Sequence, residues 1–330
     1  MTTARHLLRA AAAALALVTA GAAAACSPAA EGSAPDAAAG FPLTIENCGE
    51  ELTIDAEPQT ILTVGTSSVS LLDAAGASDR IIARTGEFGA ELPADLQNPP
   101  TSAEVLDPAD PAIETIVGSE ADIIVGYGLF NASEDDVAAA GIPNVIIDGE
   151  CSHDAALTGQ TDFEAIFADV ERLARIFGTE SDAAANLTTL RAELDELTAT
   201  APEPSDDAEA AVVYYFSESA SLSARGGQGI ADDVLARAGY GNVYGDEPSV
   251  YLEANIETLL DADPAMIVIA YGMYGESFDD ALAKLRSEPG AEDLAAVRSG
   301  AVVGVPGSSL APDPGAIDGL RVVLEGAPRP

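Results

Sequence analysis

The chain has 330 residues, nearly half of them apolar, with 14 basic and 55 acidic residues for a formal net charge of −41. A surface this acidic repels phosphate backbones and anionic lipid headgroups, which excludes nucleic acid as a partner and attachment to membranes by charge. The apolar sequence is more than one compact core takes up, and it predicts two lobes of roughly 120–130 residues each.

Arg5, His6 and Arg9 precede an apolar stretch from Leu7 to Ala20 that is too short for a stable membrane span; small residues from Ala22 to Ala25 follow. This is the layout of a secretory signal, residues 1–25. The run meets Cys26 in an arrangement similar to a bacterial lipobox, in which the cysteine is acylated and becomes the first mature residue. Ala23 stands where lipoboxes more often carry leucine, and ordinary cleavage after Ala25, leaving a free thiol, is the competing expectation. The signal holds two arginines and no acid, so the remainder carries 12 basic and 55 acidic residues, net −43. Lipid on Cys26 would therefore be the only membrane attachment. Residues 26–40 are Ser, Ala, Pro, Gly and acids without periodicity, the composition of a tether.

The chain has three cysteines, an odd number for an exported protein. With Cys26 lipidated, Cys48 and Cys151 remain as a pair suited to an oxidising compartment, although two separate thiols also fit the sequence. A bridge would tie the start of the first lobe to its end, worth roughly 4–5 kcal/mol in the chain-entropy account.

Leu43-Thr44-Ile45 and Leu52-Thr53-Ile54 flank Asn47-Cys48-Gly49-Glu50 and predict a hairpin. Ile61 to Val64 reads as a buried strand, Ser67 to Ala75 as a helix stopped by Gly76, and Arg80 to Ala83 as the next strand. Asp135 to Ala140 forms a helix before Gly141, and Asn144 to Ile147 a strand. Asp162 to Phe177 carries apolar residues at helical period, and Ser181 is placed to cap a second helix striped by Leu187, Leu190, Leu194 and Leu197. After Pro202 and Pro204, Ala211 to Phe216 is a strand followed by a Ser/Gly-rich loop, Ser217 to Gly229. Helix Ile230 to Ala238, helix Asp279 to Arg286, strand Ala301 to Val305 and a short final helix complete the chain. The boundaries follow: a first α/β lobe over 41–160, connecting helices over 161–200, and a second α/β lobe over 201–330. Strands alternating with helices predict mainly parallel sheets in three-layer lobes, with the second connecting helix as a rigid link.

One segment occurs twice. Ile113-Glu114-Thr115-Ile116-Val117 leads to Ile123-Ile124-Val125 and then Tyr127-Gly128. Ile256-Glu257-Thr258-Leu259-Leu260 leads at the same spacing to Met266-Ile267-Val268 and then Tyr271-Gly272. Each copy reads as a short helix feeding a buried strand that ends in an aromatic-glycine loop, as expected if two similar lobes face a shared cleft. Leu235-Ala236-Arg237-Ala238-Gly239 echoes Leu72-Asp73-Ala74-Ala75-Gly76 in the same sense.

The repeats, the connector from Asp162 to Thr200 and the Leu-x-x-[AL]-G helix ends together resemble the substrate-binding lipoproteins of bacterial ABC importers. The similar class is the helix-linked one that binds ferric siderophores, haem or cobalamin. The resemblance runs from about Leu43 to the last helix. It implies a ligand cleft between the lobes, no catalysis and no cofactor. It also implies a ferric siderophore or related chelate as ligand, a permease dimer in the membrane as partner, and a monomeric receptor. In the family a glutamate on each lobe docks into arginine pockets of the permease, and Glu114 and Glu257 match those positions; carboxylate–arginine pairs fix orientation as well as affinity. The same residues also suit the positive ends of their helices. Ligand contacts are expected from strand-end loops: Arg84, Phe88, Tyr127 and Phe130 in the first lobe, and Tyr214, Ser219, Arg225, Tyr251, Tyr271 and Tyr274 in the second. Rings would cover the faces of a chelate and arginines would reach its oxygens.

Other classes fit less well. A bare-metal site needs several His and carboxylate ligands, and beyond the signal the only histidine is His153. No G-x-S-x-G turn, Walker sequence or dinucleotide fingerprint occurs, and no D-x-[DN]-x-[DN]-G calcium loop. Delivery to a sensor instead of a permease is equally compatible with the sequence. The net charge favours neutral or cationic hydroxamate-type chelates over strongly anionic catecholates.

Overall fold

The computed structural model describes residues 40–151, 159–202 and 208–326. The signal, Cys26, most of the tether and His153 lie outside the described residues.

The first lobe opens with an antiparallel hairpin, β1 (Leu43–Asn47) and β2 (Glu50–Ile54), with Asn47 opposite Glu50. The two turn residues, Cys48 (φ 51°) and Gly49 (φ 81°), are both left-handed, as a two-residue hairpin turn requires. Then follow β3 (Ile61–Val64), α1 (Thr66–Ala74), β4 (Ile81–Thr85), β5 (Glu104–Asp107), α2 (Ile113–Gly118), β6 (Ile123–Gly126), α3 (Glu134–Ala139) and β7 (Asn144–Ile146). The five strands after the hairpin make one parallel sheet in the order β5-β4-β3-β6-β7. A 3-10 turn, Asp148–Glu150, leads to Cys151, whose sulfur is bonded to that of Cys48.

Two helices join the lobes, α4 (Phe163–Phe177) and α5 (Glu180–Thr198). The Asp162 side chain caps α4 by accepting from Ala165 N at 2.7 Å, and Gly178 (φ 66°) ends it. Phe163 and Phe167 are fully buried, each contributing about 1.5–3 kcal/mol. The start of α4 also meets the second lobe: Phe163 N donates to Asp233 Oδ2 at 3.0 Å, and the Arg237 guanidinium lies 5.2 Å from the Phe163 ring. The predicted Ser181 cap is corrected. The helix starts at Glu180, and the Thr179 hydroxyl at its N-cap position donates to Ala75 O at 2.6 Å, tying the connector to the end of α1. Asn186 adds a bond to Ala74 O, while Glu193, two turns on, pairs with Arg321 beyond the second sheet. One helix of about 28 Å thus holds both lobes.

The second lobe comprises β8 (Glu209–Tyr214), β9 (Ser223–Arg225), α6 (Ile230–Arg237), β10 (Gly241–Asn242), β11 (Tyr251–Glu253), α7 (Ile256–Ala262), β12 (Met266–Tyr271), α8 (Phe278–Ser287), α9 (Ala295–Ser299), β13 (Val302–Pro306) and α10 (Ala316–Gly326). Its sheet runs β11-β9-β8-β12-β13, with β10 beside the start of β8. The strands β10, β8, β12 and β13 are parallel, whereas β9 and β11 are antiparallel to their neighbours. The architecture is α/β, two three-layer lobes with mainly parallel sheets, joined by a long helix and separated by a cleft. β5, β9, β10, β11 and α9 are additions to the elements expected from sequence. Each is five residues or shorter, too brief for periodicity to reveal.

The inner faces of both sheets share one core, in which Leu72 of α1, Phe167 of α4, Leu194 of α5, Val212 of β8, Leu235 of α6 and Leu320 of α10 belong to a single buried cluster. Separate outer cores lie beneath α2 and α3 in the first lobe, around Ile116 and Val137, and beneath α7 and α8 in the second, around Leu259 and Leu285.

Candidate functional site

Ligands of open parallel sheets bind beyond the carboxyl ends of the strands, where the backbone leaves the sheet and side chains converge. In the first lobe β4 delivers Phe88, whose backbone is left-handed (φ 51°) and whose N–H donates to Pro108 O at 2.6 Å. A bulky residue in that conformation is held there by its surroundings. β6 delivers Tyr127 and Phe130, whose rings lie 5.9 Å apart. Their loop is fixed by buried Asp110, whose Oδ2 accepts from Phe130 N at 3.0 Å and from Asn131 N at 2.5 Å. Gly65 (φ 89°) leaves space for the Tyr127 ring, since a Cβ there would stand 2.7 Å from Tyr127 Cδ1. β7 delivers Glu150 through the 3-10 turn.

The second lobe supplies Tyr214 and Phe216 from the end of β8, Arg225 from β9, Tyr251 from β11, and Met273 and Tyr274 from the loop after β12. The Arg225 guanidinium is 3.5 Å from the Tyr214 ring centroid and 4.2 Å from that of Tyr251, so it lies over two aromatic rings. Arg225 Nη1 donates to Ser223 Oγ and Ala224 O, and the Tyr214 hydroxyl donates to Leu310 O at 2.9 Å. The Tyr251 hydroxyl donates across the lobes to Glu150, 2.9 Å to Oε2 and 3.1 Å to Oε1. From Tyr214 the rings continue to Phe216 (6.1 Å), Tyr274 (5.9 Å) and back to Phe88 of the first lobe (5.5 Å, edge-on). One path of side chains therefore crosses between the lobes twice, by a hydrogen bond at the base and a ring pair at the rim. A cavity of about 50 Å³ lies at the base, lined in part by Glu150, Tyr214, Arg225, Tyr251 and Met273.

Burial raises the hydroxyls of Tyr214 and Tyr251 above the usual phenol range. The Glu150 carboxylate pushes both further, while Arg225 pulls the other way. Tyr127 is raised by burial first, then by Asp110, Tyr274 and Glu150. All three remain protonated at neutral pH, and each donates its proton within the protein, Tyr214 to Leu310 O, Tyr251 to Glu150 and Tyr127 to Gly86 O.

Of the ligand contacts expected from sequence, Phe88, Tyr214, Arg225, Tyr251 and Tyr274 stand on one path, with Tyr127 and Phe130 beside it. Three lie elsewhere. Arg84 pairs at 3.0 Å with buried Glu87, whose carboxyl is raised by burial against the pull of Arg84. Ser219 is in an exposed turn, 3.3 Å from the Ser217 hydroxyl. Tyr271 packs against Phe278 of α8 in the outer core. Glu114 and Glu257 are exposed in the first turns of α2 and α7. Sequence reasoning missed Phe216, although it ends a predicted strand, and Glu150, whose only signal was its place next to Cys151.

The sequence pattern of the periplasmic binding protein family matches residues 61–308. The chain belongs to that family. It is a family of solute-binding proteins rather than enzymes, and membership implies an extracytoplasmic setting. Among the described residues no helix is long and apolar enough to cross a membrane. The binding protein is 23% identical over 253 residues to a curated cobalamin-binding protein of Halobacterium salinarum, an alignment over 73% of this chain and 62% of the other. It thus spans less than two thirds of that relative's length. Its fold is similar to that of an ABC-type Fe3+-hydroxamate transport protein of Saccharomonospora viridis, with a TM-score of 0.76 and 23% identity over 87% of this chain and 99% of that one. A periplasmic haem-binding protein of Vibrio cholerae is similar at a TM-score of 0.61 and 16% identity over 81% and 98% of the two chains.

Proposed function

We propose that this binding protein captures a ferric siderophore-type chelate in its cleft and presents it to an ABC permease dimer through Glu114 and Glu257, anchored outside the membrane by lipid on Cys26. The observation that supports this reading best is the aromatic path contributed by both lobes. A ferric chelate presents apolar faces and peripheral oxygens; rings supply contact area, while the Arg225 guanidinium supplies N–H donors. Neutral phenols do not provide the anionic ligands that bare iron calls for, which favours a complete chelate. The hydroxamate transport protein of similar fold supports the same class. The curated relative favours cobalamin as a second reading within the same architecture.

The chain has no Trp, so its intrinsic fluorescence comes from eight tyrosines, four of which (Tyr127, Tyr214, Tyr251 and Tyr274) stand on or beside the aromatic path. Titration of the exported chain with a ferric hydroxamate, a ferric catecholate, haem and cobalamin is expected to give saturable quenching at submicromolar concentration by the hydroxamate. Saturation by cobalamin alone would select the second reading. No response to any of the four in folded protein would overturn the chelate reading.

A further inference from the structure

The Cys48–Cys151 bridge ends one residue from the carboxylate that spans the lobes. Cys151 is buried and follows Glu150 directly; its Cα lies 5.3 Å from that of Cys48 in the hairpin turn. The opposite end of the 3-10 turn is gripped from α4. Arg172 Nη2 lies 3.2 Å from Asp148 Oδ1, Asp148 N donates to Asp169 Oδ2 at 3.2 Å, and Arg172 and Asp169 are themselves paired at 2.7 Å. Glu150 stands between these two anchors and receives the Tyr251 hydroxyl. The Tyr251 ring in turn lies against the Arg225 guanidinium, which also lies over the Tyr214 ring. A bridge serving stability alone could join many pairs of points within the first lobe. This one ends beside a residue that touches the second lobe, so freedom gained at Cys151 reaches the Arg225 stack through the Glu150–Tyr251 hydrogen bonds.

We infer that the bridge is a positioning element of the ligand cleft: it holds Glu150 where its carboxylate fixes the Tyr251 hydroxyl, and with it the Tyr251–Arg225–Tyr214 stack, in the arrangement that binds ligand. The inference rests on the cleft being the ligand site, as proposed above. Its physical basis is preorganisation: side chains already ordered before binding lose less freedom when ligand arrives. Glu150 is then a positioning residue that needs no contact with ligand.

The test compares four exported chains: the parent, Cys48→Ala/Cys151→Ala, Tyr251→Phe, and the combination. Each is titrated with a neutral ferric trihydroxamate, and amide hydrogen exchange of β11 is followed without ligand. Removing the bridge is expected to weaken binding about five- to tenfold, the scale of one ordinary hydrogen bond. It is also expected to speed exchange across β11, in the opposite lobe from both cysteines. In the Tyr251→Phe background the same removal is expected to add less than about twofold and to leave β11 exchange unchanged, because the contact it acts through is already gone. Equal losses in both backgrounds would overturn the inference, since the bridge would then act through general stability; so would unchanged affinity in the bridge-free chain. If the double alanine chain does not fold, reduction of the folded parent by a phosphine supplies the same comparison. If no chelate or cobalamin binds the parent, the proposed function fails. Exchange then decides the mechanical part alone: unchanged exchange at β11 overturns it.

Discussion

The two lobes share a frame and differ at one edge. In each, the repeated helix–strand unit (α2–β6 and α7–β12) enters the sheet beside its first strand, β3 or β8, and the next strand, β7 or β13, follows on the far side. Each strand is followed within two residues by a glycine with positive φ, Gly128 and Gly272, and both following helices are capped by serine, Ser133 and Ser277. The other edge diverges. The first lobe continues with parallel β4 and β5, whereas the second turns back through antiparallel β9 and β11. Arg225 and Tyr251 belong to those two antiparallel strands, so the most specific chemistry of the cleft sits where the second lobe departs from the repeat. A shared frame aligns the lobes, and an unshared edge supplies what only one of them needs.

The largest expected effect tests the frame. Replacing both Glu114 and Glu257 with alanine is expected to abolish transport while ligand affinity and stability stay unchanged, checked by uptake and by titration of the purified chain. Full loss with Glu114→Ala alone and none with Glu257→Ala would break the equivalence of the lobes. Next, Leu72→Ala and Leu235→Ala occupy corresponding helix ends and are both fully buried in the shared core. Each is expected to cost about 2–5 kcal/mol by denaturant unfolding. A several-fold smaller cost in one would show that the two helix ends carry unequal load.

The pH dependence sharpens the comparison at the lobe junction. Asp313, after β13, is buried; its carboxyl is raised to about 7 chiefly by burial, with Asp95 adding to the rise, and Gly315 N and the Ser67 hydroxyl of α1 opposing it. The folded state therefore holds this proton more tightly than the unfolded chain does. Its contribution is full below the ordinary aspartate range and is lost as pH rises through about 7. Stability is expected to fall between about pH 4 and 7, and Asp313→Asn is expected to flatten that slope in thermal melts across the range. The smallest effects concern caps. The Asn255 side chain caps α7, whereas Ala112 at the equivalent position of α2 makes no side-chain bond. Asn255→Ala is expected to cost about 1 kcal/mol and Ala112→Ser to add a similar or smaller amount, both read from chemical denaturation.

Much of the frame was legible because its elements are long or closed by strong punctuation. Phe163 to Phe177 shows about four helical turns of apolar phase with Gly178 at the end, and Gly76, Gly141 and Gly239 stop helices where a left-handed residue is needed. β5 was not legible: Glu104 and Asp107 bracket two half-exposed apolar residues on an edge strand, leaving no alternation to read. β9 and β11 are three residues each, and pairing with each other and of β9 with β8 makes them strands. The cleft was legible to the extent that it is aromatic, since rings near strand ends are rare in a chain with 5% aromatic residues. Arg84 was misleading for an electrostatic reason, because its partner Glu87 lies three residues away and a loop reading of the segment hid the pair. Glu150 was one acid among many in an acidic chain, and only the fold brings it to Tyr251, 101 residues on.

The continuity of the inner core has a consequence for cutting and recombining this protein. The buried cluster runs from α1 through α4 and α5 to α6 and α10, and the described chain from Gly40 onward falls within one compact unit. Either lobe on its own would expose the apolar face that its partner and the connecting helices now cover. The pair is therefore expected to melt in a single transition, and chimeras that exchange lobes between relatives need to carry α4, α5 and the facing surfaces of α1, α6 and α10 as one block.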